Sequence, residues 1–197
     1  PALPDCRLLP IVSRDVVVMR IPLDAPPRWL ASSVAIAAAA AFGWAIFDPR
    51  VSTGGDSALY WALGRSLAET GQYRNLLAPG SPFETSVPWG FPALVALGIM
   101  LGFGYFQLKF FSLACLAGAA GFVSAWLSRW GMRAWLGLAG SLLIAMNPSI
   151  VTYGNAVLSE TPYMMLSFAA LWRFEKQQER SAWWSVVPGA VIVACAY

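Results

Sequence analysis

Two acidic side chains occupy positions in the sequence where a carboxylate could do chemistry. Asp56 follows two glycines and precedes a helical pattern, and Glu160 lies between two apolar runs. The chain contains no histidine, which excludes Ser-His-Asp catalysis, His-liganded zinc and histidine acid–base chemistry. A carboxylate is therefore the natural general base in this sequence.

Each of these two residues also has a purely structural interpretation. Asp56 could cap the helix that it precedes, since Asp is a favoured N-cap residue, and a capped carboxylate is also an oriented one. An ionisable group between apolar runs is a functional-site hypothesis by default, which favours a role for Glu160. Pro162 suits the first turn of a helix, so Glu160 could be its cap, or Ser159 or Thr161 could cap the helix instead.

Three basic residues on the same side of the predicted membrane could meet an anionic lipid headgroup: Arg65, Arg74 and Lys109. Lys109 could instead extend its ammonium group to the membrane interface. The segment 81–92 is interpreted as a turn into the next helix, with Trp89 and Phe91 as interface anchors.

The composition indicates a membrane protein. Of the 197 residues, 58% are hydrophobic and 12% are charged, against about 45–50% and about 25% in soluble domains. So little charge cannot cover a folded surface that faces water. The net charge of +3 is spread between apolar runs, which argues against nucleic-acid binding. The three cysteines form no disulfide framework.

The candidate residues are expected to be positioned by a bundle of helices. A bilayer-spanning helix needs roughly 20 apolar residues, and five runs approach that length, so the sequence predicts an all-α, polytopic transmembrane bundle. The predicted spans lie near 29–47, 107–128, 134–153, 161–175 and 182–197. Residues 1–28 form a cytoplasmic N-terminal segment, of which 1–18 could precede the native start. Residues 29–197 are expected to be the N-terminal part of a longer membrane domain.

Charge decides between two topologies. If residues 88–108 crossed the membrane, the turn at Arg129 and Arg133 and the loop at 173–180 would both lie outside, against the positive-inside rule. If residues 88–104 do not cross, both basic segments lie inside. The outer loop 48–106 and Glu160 then share the outer face, and we adopt this second topology.

The outer loop contains one predicted helix. Leu59, Leu63 and Leu67 repeat every four residues with Tyr60 alongside, which is typical of an amphipathic helix of three to four turns. Gly71 suits its C-terminal stop. We expect this helix to lie on the outer membrane surface.

The order of these features resembles the N-terminal part of the GT-C glycosyltransferases over roughly residues 20–197. It looks closest to the bacterial protein O-mannosyltransferases and aminoarabinose transferases. The resemblance rests on Asp56 in its loop, on the segments 88–92 and 147–149, and on Leu158-Ser159-Glu160-Thr161-Pro162. Two departures from the O-mannosyltransferase pattern are that Ser57 replaces the Glu of Asp-Glu, and that His-Pro-Pro is absent near Pro88.

The resemblance implies transfer of a sugar from a polyprenyl-phosphate donor to a lipid, glycan or protein acceptor. The reaction would take place on the periplasmic or extracellular face of the inner (plasma) membrane, among membrane lipids. Asp56 would be the base, and Glu160 would position the acceptor or a divalent metal ion; no cofactor is certain. The same resemblance makes Arg65, Arg74 and Lys109 candidates for binding the donor phosphate. The chain over 1–197 alone is expected to be inactive.

Two other functional classes remain open from the sequence. A polytopic transporter or channel subunit would be expected to show inverted repeats or charges inside spans; we see no internal repeat, and the acidic residues lie at span ends. A lipid-binding or assembly protein would explain the aromatic residues. It gives no reason for Asp56 and Glu160 to share a face.

Overall fold

The structure, a computed structural model, describes residues 27–51 and 55–177, with side chains through Arg173. This part of the chain forms seven helices and no strand, which confirms the predicted all-α class. The helices are α1 (Arg28–Ala45), α2 (Gly55–Thr70), α3 (Gly90–Met100), α4 (Tyr105–Arg129), α5 (Ala134–Ala145), α6 (Pro148–Gly154) and α7 (Glu160–Gln177). The predicted segment 182–197 and nearly all of 1–28 lie outside the described residues.

Helix α4 is the centre of the packing. It contacts α1, α5, α6 and α7, while α2 and α3 pack on each other. Within the described ranges, α4 is the one helix both long and apolar enough to cross a membrane. Its 25 residues extend about 37 Å at 1.5 Å per residue. Helices α1, α4 and α7 lie where the spans 29–47, 107–128 and 161–175 were predicted, but α1 and α7 do not meet this criterion of length and hydropathy.

The interface between α1 and α4 is made of small residues. Helix α1 buries one side, formed by every fourth residue: Ala31, Ala35, Ala39 and Gly43. Ala39 packs in a cluster with Ala117 and Ala120 of α4. The large side chains of α1, such as Trp29 and Trp44, point outward and are exposed. Small residues inside and large apolar residues outside are typical of helices that pack closely and face lipid.

Contacts along α4 define the direction of its neighbours. Gly43 lies against Leu113 and Ile36 against Gly121, so α1 runs antiparallel to α4. Helix α7 runs in the same direction as α4, since Met165 lies against Gly118 and the Trp172 carbonyl accepts a hydrogen bond from Arg129 further along both helices.

These directions assign the charged residues to the two ends of the bundle. We call one end the basic end, defined by the residues at the start of α1 and α5 and at the ends of α4 and α7: Arg28, Arg129, Arg133 and Arg173. The opposite end, which we call the acidic end, is defined by Asp48, Asp56 and Glu160; the basic residues Arg50, Arg65, Arg74 and Lys109 also lie on this side. The antiparallel direction of α1 and α4 agrees with the topology in which residues 88–104 do not cross.

The single span predicted over 134–153 is wrong in one respect, because the segment forms two helices, α5 and α6, bent by 70°. The bend has a local cause. Proline disfavours helical geometry in the residue before it, and Asn147 is extended with φ −61° and ψ 128°. The Asn147 side chain then accepts a hydrogen bond from the Ser149 amide at 3.0 Å and caps the new helix.

Helix α2 matches the amphipathic helix predicted in the outer loop. It ends before Gly71, whose φ of +68° favours glycine, as expected for the stop. Leu63 is fully buried, and Gly64 lies against Val95 of α3. The apolar side of α2 is therefore covered by α3 over part of its length, rather than left entirely to a membrane surface.

Helix α3 connects this pair to the bundle. Its 11 residues extend about 16 Å, half of a bilayer core of about 30 Å, which agrees with a segment that does not cross. A core cluster joins α3 to the start of α4 and to the segment before α7: Phe91, Val95, Tyr105, Leu108 and Val157. The interpretation of Phe91 as an interface anchor is wrong, because it is 6% exposed; Trp89 is 61% exposed.

The contact between α2 and α3 leaves no room for a side chain at Gly64. A Cβ atom there would lie 2.5 Å from Val95 Cγ1 and 3.1 Å from the Pro92 carbonyl oxygen, and Val95 is fully buried. Gly64→Ala should lower the free energy of unfolding by about 1–3 kcal/mol through overpacking. Denaturant unfolding of the protein in detergent micelles measures this.

Gly140→Ala is the matched control. The added methyl group would lie 3.2 Å from Leu127 Cδ1, the far end of a flexible side chain that is only partly buried. It should be neutral or slightly stabilising, because Ala is the better helix former. Equal stability of the two variants would contradict the tight α2–α3 contact.

Candidate functional site

Asp56 and Glu160 both lie in the first turn of a helix and are exposed. Helix α2 begins at Gly55, so Asp56 lies one residue inside the helix rather than before it. Helix α7 begins at Glu160, and the Ser159 carbonyl before it accepts a hydrogen bond from the Tyr163 amide at 2.9 Å. Ser159 therefore occupies the cap position, and Glu160 is not the cap. An acidic side chain in the first turn is also favoured by the helix dipole.

Hydrogen bonds join the sequence neighbours of these two carboxylates. The Ser57 hydroxyl accepts from the Val157 amide at 3.0 Å and lies 2.9 Å from the Tyr105 hydroxyl. One turn along α2, the Tyr60 hydroxyl lies 3.5 Å from the Ser159 hydroxyl. The starts of α2 and α7 are therefore held together, and with them the helix turns that contain Asp56 and Glu160.

Lys109 fixes the connection between α1 and α2. Its ammonium group donates to the backbone carbonyls of Asp48, at 2.6 Å, and of Arg50, at 2.9 Å. The side chain is 2% exposed, and the rings of Phe47 and Tyr105 lie within 6 Å of it. Lys109 thus does not reach out to an interface, and two of its three donors are already used within the chain.

The same connection is tied to α6. The Asp48 amide donates to the Asn155 side-chain oxygen at 3.0 Å, and the Asp48 carboxylate accepts from the Arg50 amide at 2.9 Å. The segment after α1 is therefore fixed to α4 through Lys109 and to the end of α6 through Asn155. Both attachments lie at the acidic end.

Arg65 and Arg74, the other two candidates for a donor phosphate, are not brought to Lys109 by any contact in the described part of the chain. Arg65 forms an exposed ion pair with Glu69 at 2.7 Å on α2. Arg74 donates to the Ser81 carbonyl at 3.1 Å, and its guanidinium lies 4.1 Å from the centre of the Phe83 ring. A phosphate group would have to compete with these partners.

Residues 74–83 form a hairpin, whose end overlaps the segment 81–92 that was predicted as a turn. Arg74 and Phe83 form an antiparallel bridge, and the Asn75 amide donates to the Pro82 carbonyl at 2.9 Å. Beyond this hairpin lies a pocket of about 340 Å³, lined by Tyr73 and by residues 84–89. The dipeptide Pro79-Gly80 at the tip was the available sequence signal for the turn.

The charge of this pocket is set by Glu84. The Ser86 hydroxyl and amide, with smaller contributions from the Asn75 side chain and the Thr85 amide, hold the pKa of Glu84 below its usual value. Burial, followed by the charges of Glu84 and Tyr60, raises the pKa of Tyr73 to about 12. At neutral pH the pocket therefore has a carboxylate and a protonated phenol.

Sequence reasoning missed the hydroxyl groups that organise this end. Ser57, Tyr60 and Tyr105 are ordinary residues on helical faces, and nothing in their spacing shows which of them meet across the fold. The only available signal was position, because Ser57 and Ser159 are the immediate neighbours of Asp56 and Glu160. Within the described ranges, no three His, Cys, Asp or Glu side chains gather as a metal site.

Lys109→Met should detach the loop after α1. The carbonyls of Asp48 and Arg50 would lose their charged donor, and a hydrogen bond to a charged group contributes about 1.5–3 kcal/mol. The free energy of unfolding should fall accordingly, and amide hydrogen exchange over 46–51 should accelerate. Arg65→Met is the control, since an exposed ion pair contributes about 0–1 kcal/mol. Wild-type stability and exchange in Lys109→Met would contradict the anchoring role.

Comparison with known proteins adds no assignment to this geometry. No protein-family model, curated protein or solved structure matches the chain. The function must therefore be argued from the residues at the acidic end and from the way the helices place them.

Proposed function

We propose that the chain is part of a polytopic membrane glycosyltransferase of the GT-C type. It transfers a sugar from a polyprenyl-phosphate donor to an acceptor on the outer face of the inner (plasma) membrane. One observation carries the proposal. Two exposed carboxylates, Asp56 and Glu160, lie in the first turns of helices whose starts are joined through Ser57 and Val157, at the end of the bundle opposite Arg129 and Arg133.

The arrangement of apolar side chains supports a bundle that crosses the membrane several times. Small residues fill the α1–α4 interface while large ones face outward, as lipid-facing helices require. Exposed tryptophans stand near both ends of α1, at Trp29 and Trp44, where aromatic side chains favour the two membrane interfaces. The basic end then lies in the cytoplasm under the positive-inside rule.

The chemistry follows from a site at the level of the lipid headgroups. A donor with a lipid tail presents its sugar and its phosphate to an acceptor only near this boundary. Asp56 accepts the proton of the acceptor hydroxyl as the acceptor oxygen bonds to the anomeric carbon. The bond between that carbon and the phosphate oxygen breaks, and the lipid phosphate leaves with the electron pair. Attack opposite the leaving group inverts the anomeric configuration.

Glu160 orients the acceptor hydroxyl in this scheme. Its position at the start of α7, beside the start of α2, places a second carboxylate close to the same outer surface. Holding two reactants in a reactive geometry supplies a large part of the rate of such a transfer. An ionised carboxylate that accepts a hydrogen bond from the acceptor has this effect.

Asp56→Asn tests the assignment of the base. The amide keeps the size of the side chain but cannot accept the proton, so transfer should fall by about 10²–10⁴-fold, with normal membrane insertion. The measurement is incorporation of a radiolabelled sugar from a polyprenyl-phosphate donor, in membranes that contain the full-length protein.

Glu69→Gln is the matched control. Glu69 is another exposed carboxylate on α2, and it forms an exposed ion pair with Arg65. This variant should keep wild-type transfer. Near-normal transfer by Asp56→Asn would rule out Asp56 as the base, and loss of transfer in Glu69→Gln would show that the effect is not specific to Asp56.

A further inference from the structure

We propose that Ser57 is a positioning residue that sets the separation between Asp56 and Glu160. Its link to catalysis rests on the proposed function, whereas its structural effect does not. The residue carries no charge and need not touch a substrate. It acts through the two helix starts that it joins.

One hydroxyl group connects three parts of the fold. The Val157 amide donates to Ser57 Oγ at 3.0 Å, and Tyr105 Oη lies 2.9 Å from the same oxygen. A serine hydroxyl has one donor and two acceptor positions, so both bonds can exist together. They attach the start of α2 to the first residue of α4 and to the segment before α7.

The surroundings of this hydroxyl make it hard to replace. Ser57 is 4% exposed, and Tyr105 and Val157 belong to the core cluster that they form with Phe91 and its neighbours. Water has little access there to take over the hydrogen bonds. Without the hydroxyl, the buried Val157 amide loses its acceptor, which favours movement of this segment away from α2.

Both carboxylates are attached close to this crosslink. Asp56 directly precedes Ser57, and Glu160 lies three residues after Val157. The second contact, between Tyr60 and Ser159, is longer at 3.5 Å and therefore weaker. Loss of the Ser57 hydroxyl should thus let the start of α2 shift relative to the start of α7.

Distance measurement tests this directly. Spin labels are placed at positions 56 and 160, both exposed, in the full chain in lipid nanodiscs after replacement of the native cysteines. Pulsed electron spin resonance should give a narrow distance distribution with Ser57 present. In Ser57→Ala the distribution should broaden or move to longer distances, and Ser57→Thr, which keeps the hydroxyl, should restore it.

Ser66→Ala is the matched control. Ser66 is also a buried serine of α2, but its hydroxyl donates to the Gln72 carbonyl at 2.9 Å in the loop directly after that helix. This variant should leave the 56–160 distance unchanged. A second label pair at positions 133 and 173, at the basic end, should be unaffected by Ser57→Ala.

Transfer assays on the unlabelled protein then give the functional consequence. A misplacement of about 1 Å can cost about 100-fold in rate, so kcat of Ser57→Ala should fall by up to that factor with little change in KM for the donor. A merely structural loss would instead lower the amount of folded enzyme and would leave the 56–160 distance of the folded fraction unchanged.

The outcomes separate the two proposals. An unchanged 56–160 distance in folded Ser57→Ala overturns the role of Ser57, whatever the activity. If Ser57→Ala fails to fold, Ser57→Cys keeps the size of the side chain with only a weak acceptor, and the labels at 56 and 160 are then attached by a chemistry that does not use cysteine; broadening supports the role, and no change overturns it. A changed distance in a protein whose wild type transfers no sugar from polyprenyl-phosphate donors supports the positioning role and overturns the proposed function.

Discussion

Close packing of small side chains between α1 and α4 is the constraint on which the rest of the structure depends. Alanine and glycine at every fourth position of α1 let its backbone approach the alanines of α4. The large apolar side chains must then point away from the interface, where in water they would gain nothing from burial. The same packing fixes α1 antiparallel to α4. It therefore brings the end of α1 and the start of α4 to one end of the bundle.

The residues proposed to carry chemistry lie at the same end of the bundle because α1 runs antiparallel to α4. Lys109, near the start of α4, holds the loop after α1 through two carbonyls, and Tyr105, at its first residue, reaches Ser57 of α2. Helix α7 runs parallel to α4, so its own start, with Glu160, lies at the same end. The pair of carboxylates is thus a consequence of helix direction and of a few buried polar bonds.

Much of this organisation could be predicted from the sequence because it depends on composition and on charge. Apolar runs located α1, α4 and α7, and the distribution of arginines favoured a segment 88–104 that does not cross, in agreement with the short α3. The bend at Pro148 was not predicted, because a hydropathy pattern gives the length of an apolar segment but not the point at which its helix is interrupted. The partners of Ser57 and the burial of Lys109 were also missed. Both depend on contacts between residues far apart in the sequence.

The central claim is that Asp56 and Glu160 lie on one face of the membrane and the arginines of the basic end, such as Arg133, on the other. Single cysteines at positions 56, 160 and 133, in a protein without its native cysteines, can be labelled with a membrane-impermeant maleimide in sealed vesicles of known orientation. Positions 56 and 160 should react from the outer side, and position 133 only after the vesicles are opened. Reaction of positions 56 and 133 from the same side would contradict the account.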